Sequence, residues 1–420
     1  MQVPRIGRLL ANSALGCGLV IFVLGPSEGA HARHVQVLYA FKGGDDGAYP
    51  LSEVISDKAG NLYGTTGGGG GSGCNGYGCG AVFRIAPDGT ETVLYAFKGG
   101  SDGIVPWGKL VRDKQGNLFG TTQQGGGSGC DGYGCGTVFK LTPRGTETVL
   151  HAFQGGSDGV GPVGGLVSDP QGNLYGTTYQ GGGTGCSGYG CGIVFEVAPD
   201  GSETVLHAFC IQDTWNCADG SSPAPTLVMD KEGSLYGTTV GGGPFGGGTV
   251  FKIEGDGIET TLYGFCAAPS CSDGLNPLAG VALDNQGNLY GSTDAGGTAY
   301  EGVVFKLAPS GIETVLHSFD LQVDGASPDT GVSLGRNGSV YGTLTWGGFA
   351  DCEGGEQNGA VFQLSPDGRE KESCIPVTLF SGVTKQGSRL LGANEFSDMY
   401  KYGAIVSLLK GPLASQPHDR

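Results

Sequence analysis

The apolar residues of this chain fall in short runs separated by glycine-rich turns, and the runs repeat. A Tyr-Gly-Thr-like triplet is followed some 15 to 25 residues later by Gly-x-Val-Phe, seven times over. The clearest copies are Asn61-Leu62-Tyr63-Gly64-Thr65-Thr66, Asn117-Leu118-Phe119-Gly120-Thr121-Thr122 and Asn173-Leu174-Tyr175-Gly176-Thr177-Thr178. Later copies centre on Gly237, Gly291 and Gly342, and a worn one on Gly392. Successive glycines lie 56, 56, 61, 54, 51 and 50 residues apart. A period of this size marks a repeat architecture, in which each unit buries its apolar face against the next.

One unit reads as four strands. In the second, strands are predicted over residues 108–113, 117–122, 136–141 and 147–153. Asp113-Lys114-Gln115-Gly116-Asn117 and Thr142-Pro143-Arg144-Gly145 supply tight turns, and Pro87-Asp88-Gly89 is a clearer version of the second. In Val93-Leu94-Tyr95-Ala96-Phe97 both faces of the fourth strand are apolar, so cover on both sides is expected. Four-stranded blades packed face to face around an axis meet that demand.

The ends of the chain complement one another. Residues 35–41 form an isolated fourth-strand sequence before the first unit, and the seventh unit stops after its third strand at residues 403–408. Pairing the two closes a ring and removes two exposed strand edges. The fold expected is all-β, a seven-bladed propeller whose last blade is completed by the N-terminal strand. An open solenoid is the rival, although it has no need of complementary ends. The sixth-to-seventh junction is the weakest stretch. There residues 370–374 replace the usual apolar fourth strand, and residues 377–384 are left to serve as the next inner strand.

Repeated Gly-Asn-Leu-Tyr-Gly-Thr-Thr, Gly-x-Val-Phe-Lys-Leu, Glu-Thr-Val-Leu-His-Ala-Phe and Asp-Gly-x-x-Pro resemble the GloVer tandem-repeat family of bacterial exported proteins, from residue 35 to about 408. Asp-x-x-Gly-Asn-Leu-Tyr is similar, more distantly, to NHL-type propellers. The GloVer resemblance implies an exported bacterial protein with no established enzymatic activity, often carrying a C-terminal surface anchor. Residues 411–420 show no such anchor.

Composition adds the compartment. Arg5 and Arg8, an apolar stretch over residues 9–24 and Ala30-His31-Ala32 read as a secretory signal peptide over residues 1–32. Cys17 raises a lipoprotein anchor as the alternative, but residues 18–24 continue the apolar stretch beyond it. The propeller is assigned to residues 33–410 and a polar tail to 411–420. Losing Arg5, Arg8 and Glu28 takes the formal charge from −17 to −18. Such acidity argues against nucleic acid and anionic membranes as partners. No later segment has the ~20 apolar residues of a membrane helix. A monomer that is secreted, periplasmic or extracellular is expected.

Turns joining strands 2 to 3, and strand 4 to the next strand 1, emerge on one face, the upper one. All the variation in length lies there. Three of these loops carry Cys-x-x-x-x-Cys: Cys74 with Cys79, Cys130 with Cys135, Cys186 with Cys191. Cys210 with Cys217 and Cys266 with Cys271 are further local pairs, and Cys352 and Cys374 remain to pair with each other. Twelve cysteines after cleavage suit disulfides in an oxidising compartment better than zinc, since no histidine lies near them.

The three clasps enclose Tyr77, Tyr133 and Tyr189, and Trp107, Trp215 and Trp346 map to the same face or its margin. Exposed rings on rigid loops stack on sugars or anchor a protein; the alternative is that they pack over the glycines. Asp-Gly-x-x-Pro places Asp46, Asp102, Asp158, Asp219, Asp273 and Asp324 before the inner strands. A ring of carboxylates there would suit calcium, whereas Asp bonding its own loop is the structural alternative. No cofactor is otherwise implied.

Catalytic candidates fade. His151, His207 and His317 occupy the repeat position of Tyr39, Tyr95 and Tyr263, which marks a packing site. Gly99-Gly100-Ser101-Asp102-Gly103 and Gly155-Gly156-Ser157-Asp158-Gly159 match Gly-x-Ser-x-Gly without the strand-turn-helix setting a nucleophile needs. The reading is an exported, non-catalytic propeller that binds a glycan, surface polymer or protein through its upper face. Its rivals are a polysaccharide lyase or hydrolase using acidic residues near the channel, and a structural envelope or matrix protein.

Overall fold

The computed structural model describes residues 34–211, 217–255, 257–346, 359–366, 370–374, 379, 383–386, 389–394 and 402–409. They form seven antiparallel sheets arranged as a seven-bladed propeller. Blade 1 runs Ile55–Ser56, Leu62–Thr66, Ala81–Ile85 and Glu91–Ala96, from the inner strand outward, and blades 2 to 6 repeat that order. Blade 7 joins Thr384–Gln386, Arg389–Asn394 and Ala404–Leu409 to His34–Ala40 from the other end of the chain. Val37 faces Val406 and Tyr39 faces Ile405 across that seam. The ring is closed as its sequence predicts.

The inner strand departs from expectation. In blade 2 it is split: Ile104–Pro106 pairs with the upper part of Leu118–Gln124, and Val111–Arg112 with the lower part. Residues 107–110 bulge between them toward the next blade. A Cβ on Gly108 would stand 2.1 Å from the Gly164 carbonyl oxygen of blade 3. The outer strands also differ. Glu91–Ala96 is half-buried throughout, while the enclosed strand is the third, Ala81–Ile85. An outer strand has a sheet neighbour on one edge only, so its cover is incomplete. At the weak junction Glu370–Cys374 does serve as the fourth strand of blade 6, and Thr384–Gln386 pairs as the inner strand of blade 7, while most of the predicted segment 377–384 lies outside the described residues.

The repeated motif now has a physical reading. The glycine of Tyr-Gly-Thr-Thr is where a phenylalanine of strand 3 lies down. A Cβ on Gly64 would meet Phe83 at 2.6 Å, and Gly120, Gly176, Gly237, Gly291 and Gly342 face their own phenylalanines in the same way. Each such ring is fully buried and meets a phenylalanine just after the outer strand of the preceding blade, edge to face in five junctions and tilted for Phe319 on Phe362: Phe97 lies on Phe139 at 5.2 Å and Phe153 on Phe195 at 5.1 Å. Phe41, from the N-terminal strand, meets Phe83 at 5.1 Å across the closing seam. The first threonine adds a polar tie between blades. Thr121 Oγ1 donates to the Gly164 carbonyl at 2.8 Å, Thr177 to Ala224 at 3.1 Å and Thr238 to Ala279 at 2.8 Å.

On the lower face Asp-x-x-Gly-Asn-Leu-Tyr is a turn held by its aspartate. Asp57 accepts from the Ala59 and Asn61 amides at 2.9 Å, from Asn61 Nδ2 at 2.9 Å and from the Tyr63 hydroxyl at 3.0 Å.

If the phenylalanine needs the bare glycine, Gly120→Ala overpacks the blade, since the new Cβ lies 2.8 Å from Phe139 and 2.9 Å from Leu110. The expected loss is about 1–3 kcal/mol in urea unfolding. A midpoint equal to the wild type would show that the contact yields freely.

Candidate functional site

Five of the expected disulfides are formed: Cys74–Cys79, Cys130–Cys135, Cys186–Cys191, Cys210–Cys217 and Cys266–Cys271. The Cys352 half of the sixth lies outside the described residues, as does Trp215. Each Cys-x-x-x-x-Cys clasp holds its tyrosine by the backbone. In blade 2 the Gly125 amide donates to the Tyr133 carbonyl at 2.9 Å, and the Gly134 amide to the Gly129 carbonyl at 2.8 Å. Gly134 has φ +76°, and a Cβ there would stand 2.2 Å from the Gly125 oxygen, so only glycine closes this turn. The main chain is fixed while the side chain points away: Tyr77, Tyr133 and Tyr189 are 84%, 66% and 69% exposed. Trp107 and Trp346 are also exposed.

The upper face holds a cavity of about 550 Å³ where blades 2 to 5 meet. Its rings are Trp107, Tyr133 and Tyr179, and Gln123, Gln124 and Gln180 bring amides beside them. Tyr77 and Tyr189, from the clasps of blades 1 and 3, do not line it, and neither does Trp346. Asp131 is the one carboxylate-bearing residue among those lining it. Sequence reasoning missed Tyr179 and the three glutamines. A signal existed in the repeat itself, for the residue after Thr-Thr varies from Gly67 to Gln123, Tyr179, Val240 and Asp294 while its neighbours stay constant.

The six aspartates of Asp-Gly-x-x-Pro turn back into their own loops. Asp102 accepts from the Tyr95 hydroxyl and from the Lys98 amide, both at 2.6 Å. Asp46 does the same with Tyr39 and Lys42, and Asp273 with Tyr263 and the amides of Ala267 and Ala268. Where histidine replaces tyrosine the pairs are His151 Nε2 with Asp158 at 3.1 Å, His207 with Asp219 at 3.1 Å and His317 with Asp324 at 2.6 Å. Asp273 and Asp324 are buried. These are the bonds of the loop-bracing alternative. The histidine rings also stack edge to face on Phe153, Phe209 and Phe319, as a packing position should.

A glutamate unforeseen in the sequence stands against four of these six arrangements. Glu91, Glu147, Glu203 and Glu313 begin outer strands, and each has one carboxyl oxygen buried with no hydrogen-bond partner. Burial, followed by the charge of Asp46, Asp102, Asp158 or Asp273 from the preceding loop, pushes their carboxyls up to about 7. The partner aspartate thus belongs to one blade junction and the glutamate to the next blade.

Two carboxylates depart from the repeat. Asp329 follows the loop proline where Trp107 stands in blade 2, and Asp294 follows the Thr-Thr position where Tyr179 stands in blade 3. Burial pushes the Asp329 carboxyl up, opposed by the Thr345 hydroxyl at 3.0 Å and reinforced by Asp294.

The family described as the Gloeobacter/Verrucomicrobia repeat matches residues 12–216 and 184–407. No curated protein matches the chain. Among solved structures, it is similar to the extracellular domain of a candidate one component system from B. thetaiotaomicron, at 11% identity and a TM-score of 0.55. That alignment covers 89% of this chain and 39% of the other. A puromycin hydrolase S511A mutant complexed with PGG is similar at 14% identity and a TM-score of 0.51, over 85% of this chain and 52% of that one. The chain therefore spans about two fifths to half the length of these structures. At such identities the likeness is one of fold.

The glutamates set a pH dependence. Their folded pKa lies above the ordinary 4.5, so the folded state binds more protons than the unfolded one between about pH 4.5 and pH 7. Stability from this source is full below that window and is lost as pH rises through it. The melting temperature is expected to fall between about pH 5 and pH 8, and Glu147→Gln to flatten the slope. A melting temperature that rises over the same range would refute the assignment.

Proposed function

The chain belongs to the Gloeobacter/Verrucomicrobia repeat family, and from that premise we propose an exported propeller that binds a neutral glycan chain through its upper face. One observation carries the reading: the cavity between blades 2 and 5 combines three partly exposed rings with three side-chain amides. Aromatic faces cover the apolar C–H faces of sugar rings, and amides both donate to and accept from hydroxyls. Trp107 is 39% exposed and Tyr179 50%, enough to contact a ligand while the protein keeps them ordered. The clasps of blades 1 and 3 add Tyr77 and Tyr189 beyond the cavity, which suits a polymer longer than the pocket. Disulfides on this face support an oxidising, extracytoplasmic setting.

The likeness to an extracellular domain fits the same compartment. Binding without catalysis is the favoured form, because the cavity brings together no pair of carboxylates for acid and base roles.

Affinity measured against a panel of neutral polysaccharides tests this. Trp107→Ala, Tyr133→Ala and Tyr179→Ala should each weaken binding about tenfold or more, equivalent to ~1.4 kcal/mol. Equal affinity in all three variants removes the reading, and retention of a protein but no glycan would move it to a protein partner.

The hydrolase or lyase reading draws on Asp329 and Asp294, the carboxylates that break the repeat. It expects release of oligosaccharides from some polysaccharide, abolished by Asp329→Asn. A panel of acidic and neutral polymers left intact by the wild type would dismiss it.

A further inference from the structure

The junction between blades 2 and 3 brings an imidazole and two carboxylates together. His151 stands on the outer strand Glu147–Ala152 of blade 2, Asp158 in the loop that follows, and Glu203 at the start of the outer strand Glu203–Ala208 of blade 3. One ligand atom from each, the imidazole nitrogen and two carboxylate oxygens, lies within 4.8 Å of the others. His151 Nε2 is 3.1 Å from Asp158 Oδ1. Asp158 Oδ2 is held from behind by the Gln154 amide, which leaves Oδ1 turned to the imidazole. Glu203 Oε1 is buried without a hydrogen-bond partner.

We propose that His151, Asp158 and Glu203 form a divalent-cation site, of the class filled by zinc, that ties blade 2 to blade 3. One imidazole and two carboxylates are ligands that zinc takes at about 2.0–2.2 Å, and the spacing of the three atoms admits an ion between them. The charge also balances. Two carboxylates brought together in a half-buried crevice repel each other, and a divalent ion neutralises both while giving the orphaned Glu203 oxygen a partner. Three protein ligands leave a fourth position for solvent from the rim, where the His151 and Asp158 side chains keep 18% and 21% of their exposure.

The other junctions act as internal comparisons. Between blades 1 and 2 the ring is Tyr95, whose hydroxyl donates to Asp102, so the imidazole ligand is missing although Glu147 is in place. Between blades 3 and 4 His207 meets Asp219, but the Glu259 Oε1 accepts from Thr261 at 3.1 Å and the three do not cluster. Among the described residues, the other close group of three metal-binding side chains is Cys191, Cys210 and Cys217, whose sulfurs are in disulfides. Between blades 5 and 6 His317 meets Asp324, and the side chain of Glu370 there lies outside the described residues. Among the described side chains, the histidine in place of tyrosine and the unpartnered glutamate coincide at the junction of blades 2 and 3.

The test is titration of zinc chloride into the chelator-treated full chain by calorimetry at neutral pH. Wild type and His207→Tyr should bind one equivalent with the same affinity, and zinc should raise their melting temperature. His151→Tyr and Glu203→Gln should each bind at least about tenfold more weakly and lose the thermal shift. Tyrosine is native at this repeat position, so the first variant keeps a side chain that the fold accepts, and the glutamine keeps the shape of the glutamate. Circular dichroism checks both, and should one fail to fold the other decides. No saturable binding by the wild type, or undiminished binding in a folded variant, overturns the proposal.

Discussion

The propeller depends on one contact repeated in six of its blades: a phenylalanine packed against a glycine in its own blade and met by the ring of a phenylalanine from the blade before. Two neighbouring features serve that contact. The glycine has no side chain because none fits. In blades 2, 3 and 4 the threonine beside it gives its buried hydroxyl a partner in the next blade's carbonyl. Aromatic pairs of this geometry add roughly 0.5–1.5 kcal/mol beyond the area they bury, so six of them are a substantial part of a domain's margin.

Much of this was legible in the chain. The period, the four strands, the closing seam and five disulfides were written in residues whose roles are local or repeated. The two aspartate motifs were legible as turns for the same reason, since an aspartate bonds amides a few residues away. What escaped was whatever depends on another blade. Glu147 reads as an ordinary solvated charge at a strand start, and only the ring brings Asp102 against it. Tyr179 and Gln123 sit in different repeats, and only curvature places them in one cavity. The bulge at residues 107–110 has no turn signature because the neighbouring blade shapes it.

Symmetry is therefore a guide to role. Positions held constant across blades, such as Phe139, Thr121 and Asp102, answer to packing. Positions that vary on the upper face are released from it. Trp107 and Asp329 occupy the same place in different blades, one bringing an aromatic surface and the other a charge. A single scaffold thus presents chemically distinct sectors around one opening, with the backbone beneath them unchanged.

The shared last blade has a consequence for how the molecule comes into being. Translation makes His34–Ala40 long before Ala404–Leu409, yet these are sheet neighbours. The early strand must wait through the synthesis of almost the whole domain with its partner edge unmade. Growing chains can stack blades one upon another, but the circle has no finished form until Ala404–Leu409 has been made.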